Sequence, residues 1–167
     1  LGTASELKAE EPEWWILPDS NLAAVFRDNR HSGALYRSFS IDDGRTWSTP
    51  AKTNFPDATS KVSGQRLLDG RYVLVSNPNP KKRDPLALAI SDDGLVFTKM
   101  LYLVGGRHVD YPHVIEHEGR LYVAFSGGKQ SVEVLKIRLK DVDAIAMPAT
   151  PLLAAPAPNP APKDNAP

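Results

Sequence analysis

Short apolar runs separated by turn residues dominate the chain. LAAVF (22–26), ALYRSFS (34–40), YVLVS (72–76), LALAIS (86–91), LYVAFS (121–126) and VEVLKI (132–137) are the clearest. Each is too short for a buried helix, and each is alternating or rich in branched and aromatic residues. That pattern predicts strands of five to seven residues in antiparallel meanders. Helical periodicity is confined to LKDVDAIAM (139–147), which predicts one closing helix.

The runs recur with a period near fifty residues. LPDSNLAAVF, LLDGRYVLVS and EHEGRLYVAF each place an acid in a tight turn before a strand, at Asp19, Asp69 and Glu118. A second feature repeats in the same phase, SIDDGRTW (40–47) followed by ISDDGLVF (90–97). A period of this length with about four short strands per unit fits propeller blades, small sheets that bury their faces only against neighbours. The expected fold is therefore all-β, a partial β-propeller of about three four-stranded antiparallel blades. A β-sandwich of similar strand count is the rival, but it does not require an in-phase repeat. Propellers close with four to eight blades, so the pattern predicts that the first blades are lacking. The expected organisation is a lead-in over 1–10, blades over 11–146 and a Pro/Ala-rich tail or linker over 147–167, where apolar periodicity is absent.

Composition narrows the function classes. Twenty Lys and Arg balance twenty Asp and Glu, which leaves no broad basic footprint for nucleic acid. No apolar run approaches the length of a membrane span. The chain has no cysteine, which excludes disulfides, thiolate metal sites and a cysteine nucleophile. Its first residues lack the basic and apolar regions of a signal peptide, and the compartment stays open, a secreted or periplasmic one included.

Ser40, Asp42, Gly44, Thr46 and Trp47 fit the pattern Ser-x-Asp-x-Gly-x-Thr-Trp. The serine and aspartate can bind backbone N–H groups across a hairpin turn, the glycine supplies a positive φ, and the indole is expected to fold back between strands. A calcium loop is the rival for the acids, but the spacing does not fit an EF-hand. The second copy, Ser91 to Phe97, is degenerate. This motif resembles the Asp box of the sialidase superfamily, whose members are six-bladed propellers. In that family the boxes lie at the blade periphery, away from the active site.

The resemblance makes other positions legible. Sialidases hold a substrate carboxylate with three arginines, attack with a tyrosine paired to a glutamate, and use an aspartate as acid and base. On the segment EPEWWILPDSNLAAVFRDN, the resemblance implies Glu11 as the glutamate and Arg27 as one arginine. On NPNPKKRDPLALAISDDG it implies Arg83 as another, and on DYPHVIEHEGRLYVAFS it implies Tyr111 as the nucleophile. The chemistry suits these types, since arginine binds carboxylates bidentately and a neutral phenol avoids repelling an anionic sugar. No match is found for the first arginine or the acid/base aspartate, which in the family come from early blades. The resemblance thus implies further blades on the N-terminal side. It also implies a glycan or small acidic sugar as substrate and no metal or cofactor.

Three functional readings follow. The first is an exo-acting glycoside hydrolase for acidic, sialic acid-type glycans. The second is a carbohydrate-binding Asp-box propeller without catalysis. The third is a lyase for uronic-acid polysaccharides, which on this architecture uses histidine and tyrosine. Tyr111 is followed by Pro112, where sialidases favour serine. His113 lies two residues beyond Tyr111, on the same side of a strand, and His108 lies three before it. Asn77, Asn79, Ser60 and Lys61 lie in loops near the inner strands, where they suit either sugar hydroxyls or turns.

Overall fold

The computed structural model describes residues 7–145. The expected tail over 147–167 lies outside them. Strands β1 (Ala9–Ile16), β2 (Leu22–Asp28), β3 (Ala34–Ser40) and β4 (Ala51–Pro56) form one four-stranded antiparallel sheet in chain order. Strands β5 (Ser63–Arg66), β6 (Tyr72–Ser76), β7 (Leu86–Ser91) and β8 (Phe97–Val104) form a second. The third holds three strands among the described residues, β9 (Val109–His117), β10 (Arg120–Gly127) and β11 (Ser131–Arg138), and a short helix α1 (Leu139–Ala144) follows. The first strand begins at Ala9, inside the expected lead-in. No helix among the described residues is long and apolar enough to cross a membrane.

Each acidic turn joins the first and second strands of its sheet. Leu17 N–H donates to Asn21 O at 2.8 Å, and Leu67 N–H donates to Arg71 O at 2.7 Å. Asp19 Oδ1 accepts from Asn21 N–H and Asp69 Oδ1 from Arg71 N–H, both at 3.0 Å. In the third sheet the turn shrinks to two residues, Glu118 and Gly119, both with positive φ, as a tight hairpin requires.

The burial pattern explains why YVLVS and LALAIS are continuous apolar runs. All five residues of β6 and all six of β7 are buried, because the middle sheet packs on both sides. Val73, Val75, Leu88 and Ile90 meet Val109, Val114, Leu121, Val123 and Phe125 of the third sheet. Tyr72, Leu74 and Ala89 meet Trp15, Ala23, Val25 and Leu35 of the first. Trp15 locks the first interface: its ring packs edge-on against Phe97 at 6.1 Å, and its Nε1–H donates to Gly94 O at 3.1 Å. Strand β1 lies beside β5, and β5 beside β9. The first strands thus line up as the inner strands of adjacent blades.

The first Asp box closes as expected except for its tryptophan. Ser40 Oγ donates to Asp42 Oδ1 at 2.8 Å and accepts from Gly44 N–H at 2.9 Å. Asp42 accepts from Thr46 N–H and Thr46 Oγ1, at 2.8 and 2.6 Å. Trp47 is 41% exposed, not buried between strands. Its Nε1–H donates to Gly44 O at 3.1 Å, within its own turn. The inter-sheet tryptophan is Trp15. The degenerate box repeats the turn chemistry: Asp93 Oδ1 accepts from Ser91 Oγ and from the N–H groups of Leu95 and Val96.

Candidate functional site

The strands run so that β1, β5 and β9 begin at one end of the three sheets, while the acidic hairpins and both Asp boxes lie at the other. Arg27, Arg83, Glu11 and Tyr111 all belong to the first end. Arg27 stands near the end of β2, and Arg83 lies in the β6–β7 loop. Their guanidiniums converge on one carbonyl: Arg27 Nη1 donates to Thr59 O at 3.4 Å, and Arg83 Nη2 donates to the same oxygen at 2.8 Å. Thr59 lies in the β4–β5 loop with φ +55°. Its hydroxyl meets His31 Nδ1 at 3.1 Å.

Carboxylates hold both arginines in place. Arg27 Nη2 bonds Glu10 Oε2 at 2.7 Å, and its Nε lies 3.2 Å from Glu11 Oε2. Arg27's hydrogen bond holds Glu10 below the usual carboxylate range. Arg83 Nη1 bonds Asp110 Oδ2 at 2.7 Å, and His108 Nε2 meets that oxygen at 2.9 Å. Burial pushes the Asp110 carboxyl up, but the bonds from His108 and Arg83 outweigh it and hold it below its ordinary value. Lys81 and Lys82 stay exposed on the same loop, so Arg83 alone of that basic run turns inward. Arg83 Cζ lies 5.9 Å from the centre of the Tyr111 ring.

Two candidates sit on strained backbone inside strands. Glu11 in β1 and Tyr111 in β9 have φ +50° and +53°. Both precede a proline, Pro12 and Pro112, and both sheets shift register nearby. A left-handed conformation is uncommon for residues with a Cβ, and such outliers concentrate at functional sites. The effect at β9 is to leave Tyr111 43% exposed beside the fully buried Asp110. The buried side-chain polar atoms that lack a hydrogen bond among the described residues also gather here. They are Asp57 Oδ1, Ser76 Oγ and Asp110 Oδ1, together with Glu11 Oε2 and Arg27 Nε, which face each other as the 3.2 Å ion pair. Buried groups left this way call for an explanation, and a polar ligand is one.

The other expected residues separate. Asn77 is fully buried, and its amide is spent on Pro85 O, Val109 O and Ser60 Oγ, at 3.0, 2.9 and 2.7 Å. It ties the β4–β5 and β6–β7 loops to the start of β9 and does not face a sugar. Ser60 is buried with it. Asn79 is a turn residue, accepting from Lys81 N–H at 3.1 Å. His113 is exposed two residues beyond Tyr111, without a hydrogen bond to either arginine among the described residues. His108 is the histidine built into the network. Glu11 stands on Arg27, and among the described residues no hydrogen bond joins it to Tyr111.

Sequence reasoning passed over Glu10, Asp57, Asp110 and the Thr59 carbonyl. Glu10 and Asp110 adjoin chosen residues, so adjacency was their only signal. Asp57 is buried beneath the β4–β5 loop, where it accepts from Ser60 N–H at 3.2 Å. Burial pushes its carboxyl up to about 6, against the backbone N–H groups of Ser60, Thr59 and Ala58 and the charge of Arg27. A cavity of about 570 Å³ lies elsewhere, between the first two sheets against Trp15, Phe39, Phe55 and Phe97, and contains none of these groups.

Comparison with known proteins bears on the family and the fold. A family model described as a BNR repeat-like domain matches residues 3–123. No curated protein sequence matches the chain. Among solved structures, the NanB sialidase from Streptococcus pneumoniae superposes with a TM-score of 0.66 at 18% identity, covering 81% of this chain and 24% of that one. The intramolecular trans-sialidase from Ruminococcus gnavus gives 0.65 at 16% identity, covering 85% and 34%. A GH93 α-L-arabinofuranosidase of Fusarium graminearum gives 0.55 at 13% identity, covering 81% and 48%. The chain thus spans a quarter to a third of the length of these sialidases, and its fold is part of a sialidase-like β-propeller.

Proposed function

The chain belongs to the BNR repeat-like family, and we propose that it contributes the carboxylate-binding and nucleophilic part of an exo-acting glycoside hydrolase for acidic, sialic acid-type sugars. The observation that carries this reading is the convergence of Arg27 and Arg83 on one carbonyl beside a strained, half-exposed tyrosine. Guanidinium donors not engaged by Thr59, Glu10, Glu11 or Asp110 can take a sugar carboxylate bidentately. Tyr111 Oη would attack the anomeric carbon as the glycosidic bond breaks. A phenol needs a base for this, because its ordinary pKa is near 10. Glu11 would accept the phenolic proton on moving from Arg27. An acid on further blades would protonate the leaving oxygen, and water would then release the sugar from Tyr111.

The test is hydrolysis of a fluorogenic sialoside by the full-length protein, with Tyr111→Phe as control. Turnover that disappears in the variant while sugar binding persists supports the hydrolase. Unchanged turnover in the variant would rule out Tyr111 as the nucleophile. Binding without turnover in the wild type would make the protein a carbohydrate-binding propeller. The His108–Asp110 contact favours a second reading, a uronate lyase in which His108 and Tyr111 move protons; release of an ultraviolet-absorbing unsaturated uronate identifies it.

A further inference from the structure

Lys61 lies two residues beyond Thr59 in the same β4–β5 loop that gathers the arginines. Its ammonium donates to Val62 O at 3.2 Å and to Pro112 O at 3.5 Å, so it rests against β9 at the residue after Tyr111. Arg27 and Arg83 both meet carboxylates, whereas Lys61 forms no ion pair among the described residues. Its two partners are neutral carbonyls, and an ammonium has three donors.

This difference decides what the site can accept. Three carboxylates pair directly with the two arginines, Glu10, Glu11 and Asp110, and a fourth, buried Asp57, lies within range of the Arg27 charge. Without Lys61 the cluster carries an excess of negative charge, which opposes an anionic ligand. Lys61 offsets part of that excess with a positive charge that is in no ion pair among the described residues. A partly buried charge is screened less than one in open solvent, and a charge-assisted bond to a carboxylate is stronger than a neutral one. The arginines, held by their partners, supply fixed direction; Lys61 supplies charge.

We propose that Lys61 is a specificity-determining residue that contacts the carboxylate of an acidic sugar bound at Tyr111 and sets the preference for acidic over neutral sugars. This rests on the acidic-sugar reading above. The experiment titrates the full-length protein with sodium N-acetylneuraminate, sodium glucuronate and neutral N-acetylglucosamine, followed by amide NMR shifts. The wild type should favour at least one of the two acids over the neutral sugar. Lys61→Gln should weaken binding of that acid roughly tenfold, and Lys61→Arg should retain most of it. In the wild type, labelled at lysine side chains, the Lys61 Cε signal should move with that acid and not with the neutral sugar, a readout that needs no variant. Acid preference in the wild type with an unmoved Lys61 signal and unchanged affinity in Lys61→Gln overturns the role of Lys61 and leaves the acidic-sugar reading standing. A wild type that binds acid and neutral sugars alike, or none of them, overturns both.

Discussion

Arg27 and Arg83, carried by different sheets, donate to the same oxygen of Thr59. One carbonyl therefore sets the spacing of two guanidiniums that the chain has no local means to align. Arg83 also neutralises Asp110, which is fully buried.

Arg83→Met should leave the Asp110 charge with only His108. Unpairing a buried charge is costly, and the loss expected in urea unfolding is about 2–4 kcal/mol. Adding Asp110→Asn to Arg83→Met should recover part of it. Additive losses in the double variant would show that the two side chains do not interact energetically.

The inter-sheet contact of Trp15 gives a second expectation. Trp15→Phe keeps a ring but leaves the buried Gly94 carbonyl without its donor, a loss of about 2 kcal/mol. Gly94→Ala should cost more. Gly94 has φ +74°, and an added Cβ would stand 2.9 Å from Trp15 Nε1 and 3.1 Å from the Tyr72 ring. Thermal unfolding that ranked the two in reverse would contradict this packing.

Asp57 predicts a pH effect of defined sign. Its carboxyl is lifted from 3.8 to about 6 by burial. Between those values the folded protein holds a proton that the unfolded chain has released. Its contribution to stability therefore falls as pH rises through that window, by up to about 3 kcal/mol. Asp110, held low, works in the opposite direction, so the informative quantity is a difference between variants. Asp57→Asn should gain stability over wild type at pH 8 and lose that advantage at pH 4. An equal increment at both pH values would show that Asp57 does not titrate in this way.

The Asp box should affect stability and leave ligand binding alone. Ser40→Ala removes a buried hydroxyl that serves both Gly44 N–H and Asp42, at a cost of about 1 kcal/mol. Sugar affinity should be unchanged, because the box lies at the end of the sheet opposite Tyr111. Weakened sugar binding in Ser40→Ala would contradict that separation.

The chain pattern reveals most of the framework. The six apolar runs fall in β2, β3, β6, β7, β10 and β11, and LKDVDAIAM contains α1. Strands β1, β4, β5, β8 and β9 lie outside those runs; β4 and β8 do so because they are partly exposed and mixed in composition, as in AKTNFP and FTKMLYLV. The site was legible only as residue types at repeat positions. Arg27, Arg83 and Tyr111 come together at one end, as their place in the repeat implies. Asn77 misleads because a loop asparagine reads alike whether it bonds a sugar or, as here, three parts of the protein. Nothing in the sequence shows that Thr59 O faces both arginines, since that follows from a backbone carbonyl and a left-handed φ. The exposure of Trp47 was hidden for a related reason: the motif fixes the turn but not what packs against its ring.

The three sheets each give one piece to the same small volume: Arg27 from the first, Arg83 from the second and Tyr111 from the third. Their separation is set by two apolar seams, Trp15, Val25 and Leu74 on one side and Val75, Leu88 and Val123 on the other. The site works as a gauge of how the blades are angled. Under the proposed function, methyl-sized changes in either seam, far from any sugar, would become a means of tuning affinity, with the arginine tips moving as pointers on long arms.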